Sequence, residues 1–371
     1  MRRKVSLSLS DGLLTRYSPA VFKIIEFVKR KRFEGFLVTD INNVRYLTGF
    51  SGSSALLLIT RNEIFFITDF RYKEQAEREL KKWDIILVKR DLIRTIKSLS
   101  KKTGIKRLAF ESSVTYEFFR RLANAGLSLK ALEGVIERLR EIKDAAEINS
   151  IRKAVRRAEL AFLEVKPYIR QGISERAIAL RLEEKLKKNG CRHIPFDIIV
   201  ASGLNSAMPH ARPTEKKLNM GDLIIIDWGG EADGYFSDMT RTLLIRKGDN
   251  FNKKKEIYQL VLEANNRAIS LVSPGIESKK IDSSARDIIK NAGYGKFFGH
   301  GTGHGVGLQI HESPRITWNK REIIKENMVF TIEPGIYVPG LGGVRLEDMV
   351  VVKPDGPGVL TRISKELEII N

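Results

Sequence analysis

Behind Ser18-Pro19, apolar side chains recur at Val21, Ile24, Ile25, Phe27 and Val28, a spacing that predicts an amphipathic helix over 18–32. Short apolar runs at 35–38, 55–59 and 64–67, parted by turn formers, read as strands. A polar helical pattern follows at 71–82, then a strand at 85–88 and a helix at 92–100. Strands alternating with helices predict an α/β domain that ends near residue 137. Farther along, Ile148, Ile151, Val155, Ala158 and Phe162 predict a long helix over 142–165, and helical patterns return at 174–188 and 254–271. Strand-like segments lie at 196–201, 223–227, 235–245, 328–333 and 344–352. The second half is therefore expected to be α+β with much antiparallel sheet. The expected boundaries are a loose tail at 1–16, a first domain at 17–138 and a second at 139–371.

The length of 371 residues exceeds what one hydrophobic core usually supports, in agreement with two domains. Hydrophobic residues make up 42% and charged residues 30%, a globular mixture rather than a disordered one. Cys191 is the single cysteine, which excludes a disulfide framework and a Cys-based zinc cluster. No apolar run approaches the roughly 18 residues that a membrane span needs. The start, Met1-Arg2-Arg3-Lys4, leads into an apolar stretch broken by serines and ended by Asp11-Gly12, short of a signal peptide. A cytoplasmic protein without membrane association is expected. The formal charge is +20, but its cations form separate short clusters at 29–32, 253–255, 279–280 and 320–321. None is interleaved with aromatics, so the pattern is that of a solvated basic surface and not of a nucleic-acid site.

The candidate chemistry begins where Leu223-Ile224-Ile225-Ile226 ends in Asp227 and a second strand returns through Phe236-Ser237-Asp238-Met239-Thr240. A hairpin centred on 233–234 sets Asp227 opposite Thr240, whereas one centred on 232–233 sets it opposite Asp238. Side chains two apart share a face, so either register points both aspartates the same way. Two unpaired carboxylates on one interior face resist ionisation, and a cation between them removes that objection. Either aspartate alone reads more readily as a strand cap, and only the pair at this spacing points to a site.

Three of the five histidines, His300, His304 and His311, fall within twelve residues, in and after the run from Gly299 to Gly307. The run lacks the glycine and lysine spacing of nucleotide-binding loops, and Gln309-Ile310-His311-Glu312 is not the H-E-x-x-H of a helical zinc site. Glycines flanking His304 are expected to bring the backbone close to a ligand, with the imidazole as donor. Glu333 and Glu347 each stand in or at the end of an apolar strand, where a lone glutamate would simply face water. Together, Asp227, Asp238, Glu333 and Glu347 carry four charges that balance two divalent cations, and His304 adds a neutral nitrogen. Oxygen-rich sites with one imidazole suit Mn²⁺, Co²⁺, Fe²⁺ or Zn²⁺.

With these five residues in this order, the sequence resembles the creatinase, prolidase and aminopeptidase P family of Xaa-Pro peptidases. The segments from Ile199 to His210, Asn43 to Gly52 and Thr68 to Tyr72 match as well, and the likeness spans about residues 18–370. It implies an α/β creatinase-like N-terminal domain followed by an α+β catalytic domain of the pita-bread fold, which methionine aminopeptidases share. The N-terminal domain sets the chain apart from methionine aminopeptidase, and the retained ligand set sets it apart from creatinase, which uses the fold without metals. Pro195-Phe196 stands where many relatives have Ser-Phe.

The resemblance implies an enzyme, a metal-dependent Xaa-Pro peptidase with two divalent ions. Its expected substrate is a peptide with proline in second position, and a dipeptidase (prolidase) is the first expectation. By the same likeness, Asp227, Asp238, His304, Glu333 and Glu347 hold metal, and Glu333 with His210 and His311 serves catalysis. His300 belongs to the substrate pocket, Arg315 holds the terminal carboxylate of the substrate, and Arg345 positions a carboxylate. A homodimer is expected, because members commonly place the N-terminal domain beside the partner's active site. Two other functions stay open, an aminopeptidase P acting on longer peptides and a catalytically silent relative that binds nucleic acid or a protein. The charge of +20 favours the silent relative, and the intact ligand set opposes it.

Overall fold

Pro19 opens helix α1 (Pro19–Arg30), whose Val21, Ile24, Ile25 and Val28 are buried, in the computed structural model, which describes residues 17–370. The tail expected at 1–16 lies outside the described residues. The chain divides after Arg140 into two units. In the first, β1 (Gly35–Val38) leads into α2 (Ile41–Thr48), which starts where the Asp40 side chain accepts the Asn42 N–H at 2.7 Å. The hairpin β2 (Leu56–Thr60) and β3 (Ile64–Thr68) follows, then α3 (Lys73–Glu79), β4 (Asp84–Leu87), α4 (Leu92–Thr103), β5 (Arg107–Glu111), α5 (Tyr116–Ala123) and β6 (Ser128–Leu132). These strands form one sheet in the order β4-β3-β2-β1-β5-β6, antiparallel among β1, β2 and β3 and parallel elsewhere. A single helical turn, α6 (Glu137–Arg140), closes the unit.

The second unit opens with α7 (Ala145–Val165), started by a reciprocal cap between Asp144 and Glu147, and α8 (Glu175–Lys188), capped by Ser174. The strands β7 (Ile199–Ser202), β8 (Leu223–Trp228), β9 (Glu231–Ala232), β10 (Tyr235–Phe236) and β11 (Met239–Ile245) precede α9 (Phe251–Ser270) and α10 (Ser278–Asn291). After them come β12 (Gly303–Gly305), β13 (Glu312–Ile316), β14 (Val329–Ile332), β15 (Gly335–Val338), β16 (Gly342–Arg345), β17 (Asp348–Lys353), β18 (Gly356–Val359) and β19 (Glu368–Ile370). Two sheets dominate, ordered β19-β11-β8-β7 and β13-β12-β14-β17-β18.

Their apolar runs are continuous because both faces are covered. Val329, Met349 and Val351 pack in one core with α7 and α8, while the alternating Phe330, Ile332, Val350 and Val352 pack in another with α9 and α10. Among the described residues no helix is long and apolar enough to cross a membrane.

Two expected strands are interrupted. The segment 235–245 breaks between β10 and β11, and 344–352 breaks between β16 and β17. At the first break Ser237 folds back to pair with Gly230, and the second is bridged by Glu347 N–H donating to Thr240 O at 3.1 Å. Asp238 and Glu347 sit in these two breaks.

Candidate metal centre

Asp227 lies near the end of β8 opposite Thr240, so the hairpin centres on Asp233-Gly234. Both turn residues have positive φ, 54° and 85°, as a two-residue turn of this twist requires. Glu333 follows β14 directly, and its N–H donates to Thr302 O at 2.7 Å. His304 is the central residue of β12. The flanking glycines serve a different purpose from the one expected. A Cβ on Gly303 would stand 1.9 Å from Thr331 O, and one on Gly305 would stand 2.2 Å from Ser313 O. They let β12 squeeze between neighbouring strands and so seat His304.

Around His304 the electrostatics are unfavourable for the protein alone. Its Nε2 lies 3.5 Å from Asp238 Oδ2 and 3.6 Å from Glu333 Oε1, and the donor atoms of Asp238, His304 and Glu347 all lie within 4.8 Å of one another. Burial first, and then the neighbouring His311 and Arg315, push the imidazole down to about 3, so it is neutral at pH 7. Nδ1 faces Gly305 O at 3.2 Å; a carbonyl only accepts, so Nδ1 carries the proton and the Nε2 lone pair faces the carboxylates. Burial, and next the surrounding carboxylates, push Asp238 and Glu347 well above the usual carboxylate range. Glu333 is pushed up to about 7, chiefly by burial, with Arg345 opposing the rise. Asp227 Oδ2 takes Arg345 Nη2 at 2.6 Å, while its buried Oδ1 has no hydrogen-bond partner among the described residues. An orphan carboxylate oxygen, a facing imidazole lone pair and three further carboxylates suit a divalent cation. The residues fit the group.

All ten candidate residues, His210, Asp227, Asp238, His300, His304, His311, Arg315, Glu333, Arg345 and Glu347, line one cavity of about 710 Å³. The His304 and His311 rings meet edge to face at 4.3 Å. Two further residues escaped the sequence reading. The Tyr337 hydroxyl accepts from Arg345 Nη1 at 2.9 Å and contacts His300 Nε2 at 2.9 Å. His300 Nδ1 faces Gly301 O at 2.8 Å, so its Nε2 is the acceptor and the chain runs from Arg345 through Tyr337 to His300. Burial holds His300 down at about 4 and Tyr337 up at about 12, which keeps both neutral. Thr240 Oγ1 donates to Glu347 Oε2 at 2.8 Å and accepts from Arg345 Nε at 3.1 Å. A tyrosine and a threonine in apolar strands carry no local signal of such roles.

Residues 149–354 match the model of metallopeptidase family M24, and residues 21–142 match the creatinase/prolidase N-terminal domain. A Xaa-Pro dipeptidase of Pyrococcus horikoshii is 37% identical over 354 residues, covering 94% of this chain and 98% of its own length. The solved structure of a Xaa-Pro dipeptidase from Bacillus anthracis has a TM-score of 0.91 at 37% identity, covering 95% of this chain and 99% of that one. That of an X-Pro aminopeptidase from Thermotoga maritima gives 0.86 at 36% identity, covering 94% and 99%. The first unit has the creatinase-type fold and the second the pita-bread fold, as the resemblance implied. The chain therefore belongs to metallopeptidase family M24 and is a metal-dependent hydrolase carrying a creatinase/prolidase N-terminal domain.

Proposed function

We propose that the protein is a Xaa-Pro dipeptidase that holds two divalent ions through Asp227, Asp238, His304, Glu333 and Glu347. The observation that carries this reading is the buried set of carboxylates and one imidazole lone pair turned on one another, with Asp227 Oδ1 left unpartnered. Four carboxylates balance two dications, and Mn²⁺, Co²⁺, Zn²⁺ or Fe²⁺ suits the donor set. When bound, such ions make water nucleophilic near neutral pH and polarise the carbonyl that precedes proline. The remaining work falls to the chain. Glu333, whose Oε1 lies 3.6 Å from His304 Nε2 in the same cavity, stands where a carboxylate can take a proton from water and return it to the departing proline nitrogen. Arg345 holds Asp227 Oδ2 and leaves Oδ1 free to bind. His210 and His311 line the same cavity, where an imidazole can steady the developing oxyanion, and His300 is fixed against the substrate space by Tyr337. Arg315 offers a planar two-point partner for the terminal carboxylate of a dipeptide.

A second reading, an aminopeptidase P acting on longer peptides, is favoured by the likeness to the Thermotoga maritima X-Pro aminopeptidase. A panel separates them: protein stripped with EDTA, reloaded with one metal at a time, and assayed on Gly-Pro-type dipeptides and Xaa-Pro-Xaa tripeptides. Preferred dipeptide turnover supports the first reading, preferred tripeptide turnover supports the second, and no hydrolysis with any metal removes both. We also propose a homodimer, which light scattering at assay concentration would refute by returning a monomer mass. The single cysteine, Cys191, supports a reducing, cytoplasmic setting.

A further inference from the structure

Asn265, on α9, is fully buried and does not line the cavity. Its Nδ2 donates to Ile332 O at 2.9 Å and to Leu346 O at 3.3 Å. Each carbonyl belongs to the residue immediately before a proposed ligand, Glu333 in one case and Glu347 in the other. One amide thus ties together the two backbone segments from which these glutamates project.

The amide cannot turn over. Lys365 Nζ lies 2.6 Å from Asn265 Oδ1, and an ammonium only donates, so the nitrogen must face the two carbonyls. Lys365 Nζ also reaches Asp348 Oδ2 at 2.9 Å, and Asp348 Oδ1 accepts from Arg241 Nη2 at 2.8 Å. Arg241 Nη1 in turn donates to Glu347 O at 2.6 Å and to Thr240 O at 2.9 Å. The backbone of Lys365 is itself held, because the Tyr258 hydroxyl donates to Lys365 O at 2.9 Å. None of Asn265, Lys365, Asp348 and Arg241 lines the cavity, so they can reach the chemistry only through the residues they hold.

We propose that Asn265, locked in orientation by Lys365, is a positioning residue that sets the separation of Glu333 and Glu347 and thereby the affinity of the site for divalent metal. The proposal rests on the reading of those glutamates as ligands. The reason is geometric: ligand distances must hold to within about 0.2 Å. The Asn265 amide restrains the carbonyl one peptide bond before each carboxylate, in addition to the Thr302 and Thr240 carbonyls that hold the Glu333 and Glu347 N–H groups. An amide is the side chain that both donates to two carbonyls and accepts from an ammonium. Asn265→Asp keeps the size and the lysine contact but turns an oxygen on the carbonyls.

The test uses the full chain, stripped with EDTA. Mn²⁺ affinity is measured by titration calorimetry, the visible spectrum is recorded with Co²⁺, and the melting temperature is taken without metal. Asn265→Asp and Lys365→Met are compared with wild type and with Glu347→Gln. Both positioning variants are expected to bind Mn²⁺ about 10- to 100-fold more weakly, the range for losing an outer partner of a ligand. They are also expected to shift the Co²⁺ band, and Lys365→Arg, which keeps a donor, should recover most of the affinity. A purely structural role would lower the melting temperature while leaving affinity and spectrum at wild-type values, and that result overturns the proposal. Weak binding in Glu347→Gln with wild-type binding in Asn265→Asp and Lys365→Met overturns it too. Wild-type binding in all three variants removes the ligand reading instead.

Discussion

Without metal, the carboxylate cluster should oppose folding at neutral pH, and the opposition can be sized from Glu333. Its carboxyl moves from an ordinary 4.5 to about 7 on folding. For an acid whose folded value is raised, the folded state holds the proton more tightly. The penalty is therefore absent below 4.5, grows as the pH rises, and is complete above 7. Integrated to pH 7, it is on the order of 3 kcal/mol for this one group. Roughly 0.8 kcal/mol of the penalty is already present at pH 5, which leaves a difference of about 2.4 kcal/mol up to pH 7.5. In a unit of this size each kcal/mol moves the midpoint by about 2–4 °C, so EDTA-stripped protein should melt roughly 5–10 °C lower at pH 7.5 than at pH 5.

Glu111 and Glu147 are also raised by burial, so the slope alone does not isolate the cluster. Asp238→Asn does. It removes one carboxyl whose ionisation the folded cluster opposes, so the stripped variant should melt above stripped wild type at pH 7.5, by a margin that narrows as the pH falls towards 3.8, the ordinary value of an aspartate. Metal reverses the order: Mn²⁺ at a hundredfold excess over its dissociation constant adds about 2.7 kcal/mol to wild type, and much less to the variant. Calorimetry of both proteins at the two pH values, with and without Mn²⁺, reads all these terms. If stripped Asp238→Asn melts below stripped wild type at pH 7.5, the account of the cluster as mutually repelling carboxylates is wrong.

Gly303→Ala places a Cβ 1.9 Å from Thr331 O, where backbone and not a flexible tip must move; denaturant titration should show a loss of about 1–3 kcal/mol, the usual range for overpacking. Tyr337→Phe removes the hydroxyl shared by Arg345 and His300; kcat/KM for Gly-Pro should fall about tenfold, equivalent to one hydrogen bond of about 1.4 kcal/mol, while Mn²⁺ affinity changes little. Arg315→Met should raise KM for dipeptides at least tenfold and leave tripeptide KM nearly unchanged, because only the dipeptide presents its carboxylate there. Equal losses on both substrates would separate Arg315 from carboxylate binding.

How much of this was legible depended on how local the cause was. The shared face of Asp227 and Asp238 followed from strand alternation, but the register stayed open between two hairpin centres; the positive φ of both Asp233 and Gly234 decides it. The long helix α7 followed from its apolar spacing, although it starts behind the Asp144 cap and not at the expected 142. By contrast, the breaks that hold Asp238 and Glu347 were invisible, because apolar residues continue on both sides; the first comes from Ser237 folding back on Gly230, and the second is spanned by the Thr240–Glu347 bridge, 107 residues apart in sequence. The glycine-rich run misled for a related reason. Its spacing announces that backbone passes close to something, but only the tertiary packing says that Thr331 O and Ser313 O are what a side chain at 303 or 305 would strike. Tyr337 and Asn265 make the same point. Each is an ordinary residue of an apolar strand or helix, and each acquires its contacts from segments that a one-dimensional pattern cannot bring together. The proposed ligands were read from their types and order, whereas the residues that orient them were not. Their effect depends on which carbonyl or guanidinium lies opposite, and that is decided by the packing of α9 and β15 against distant strands.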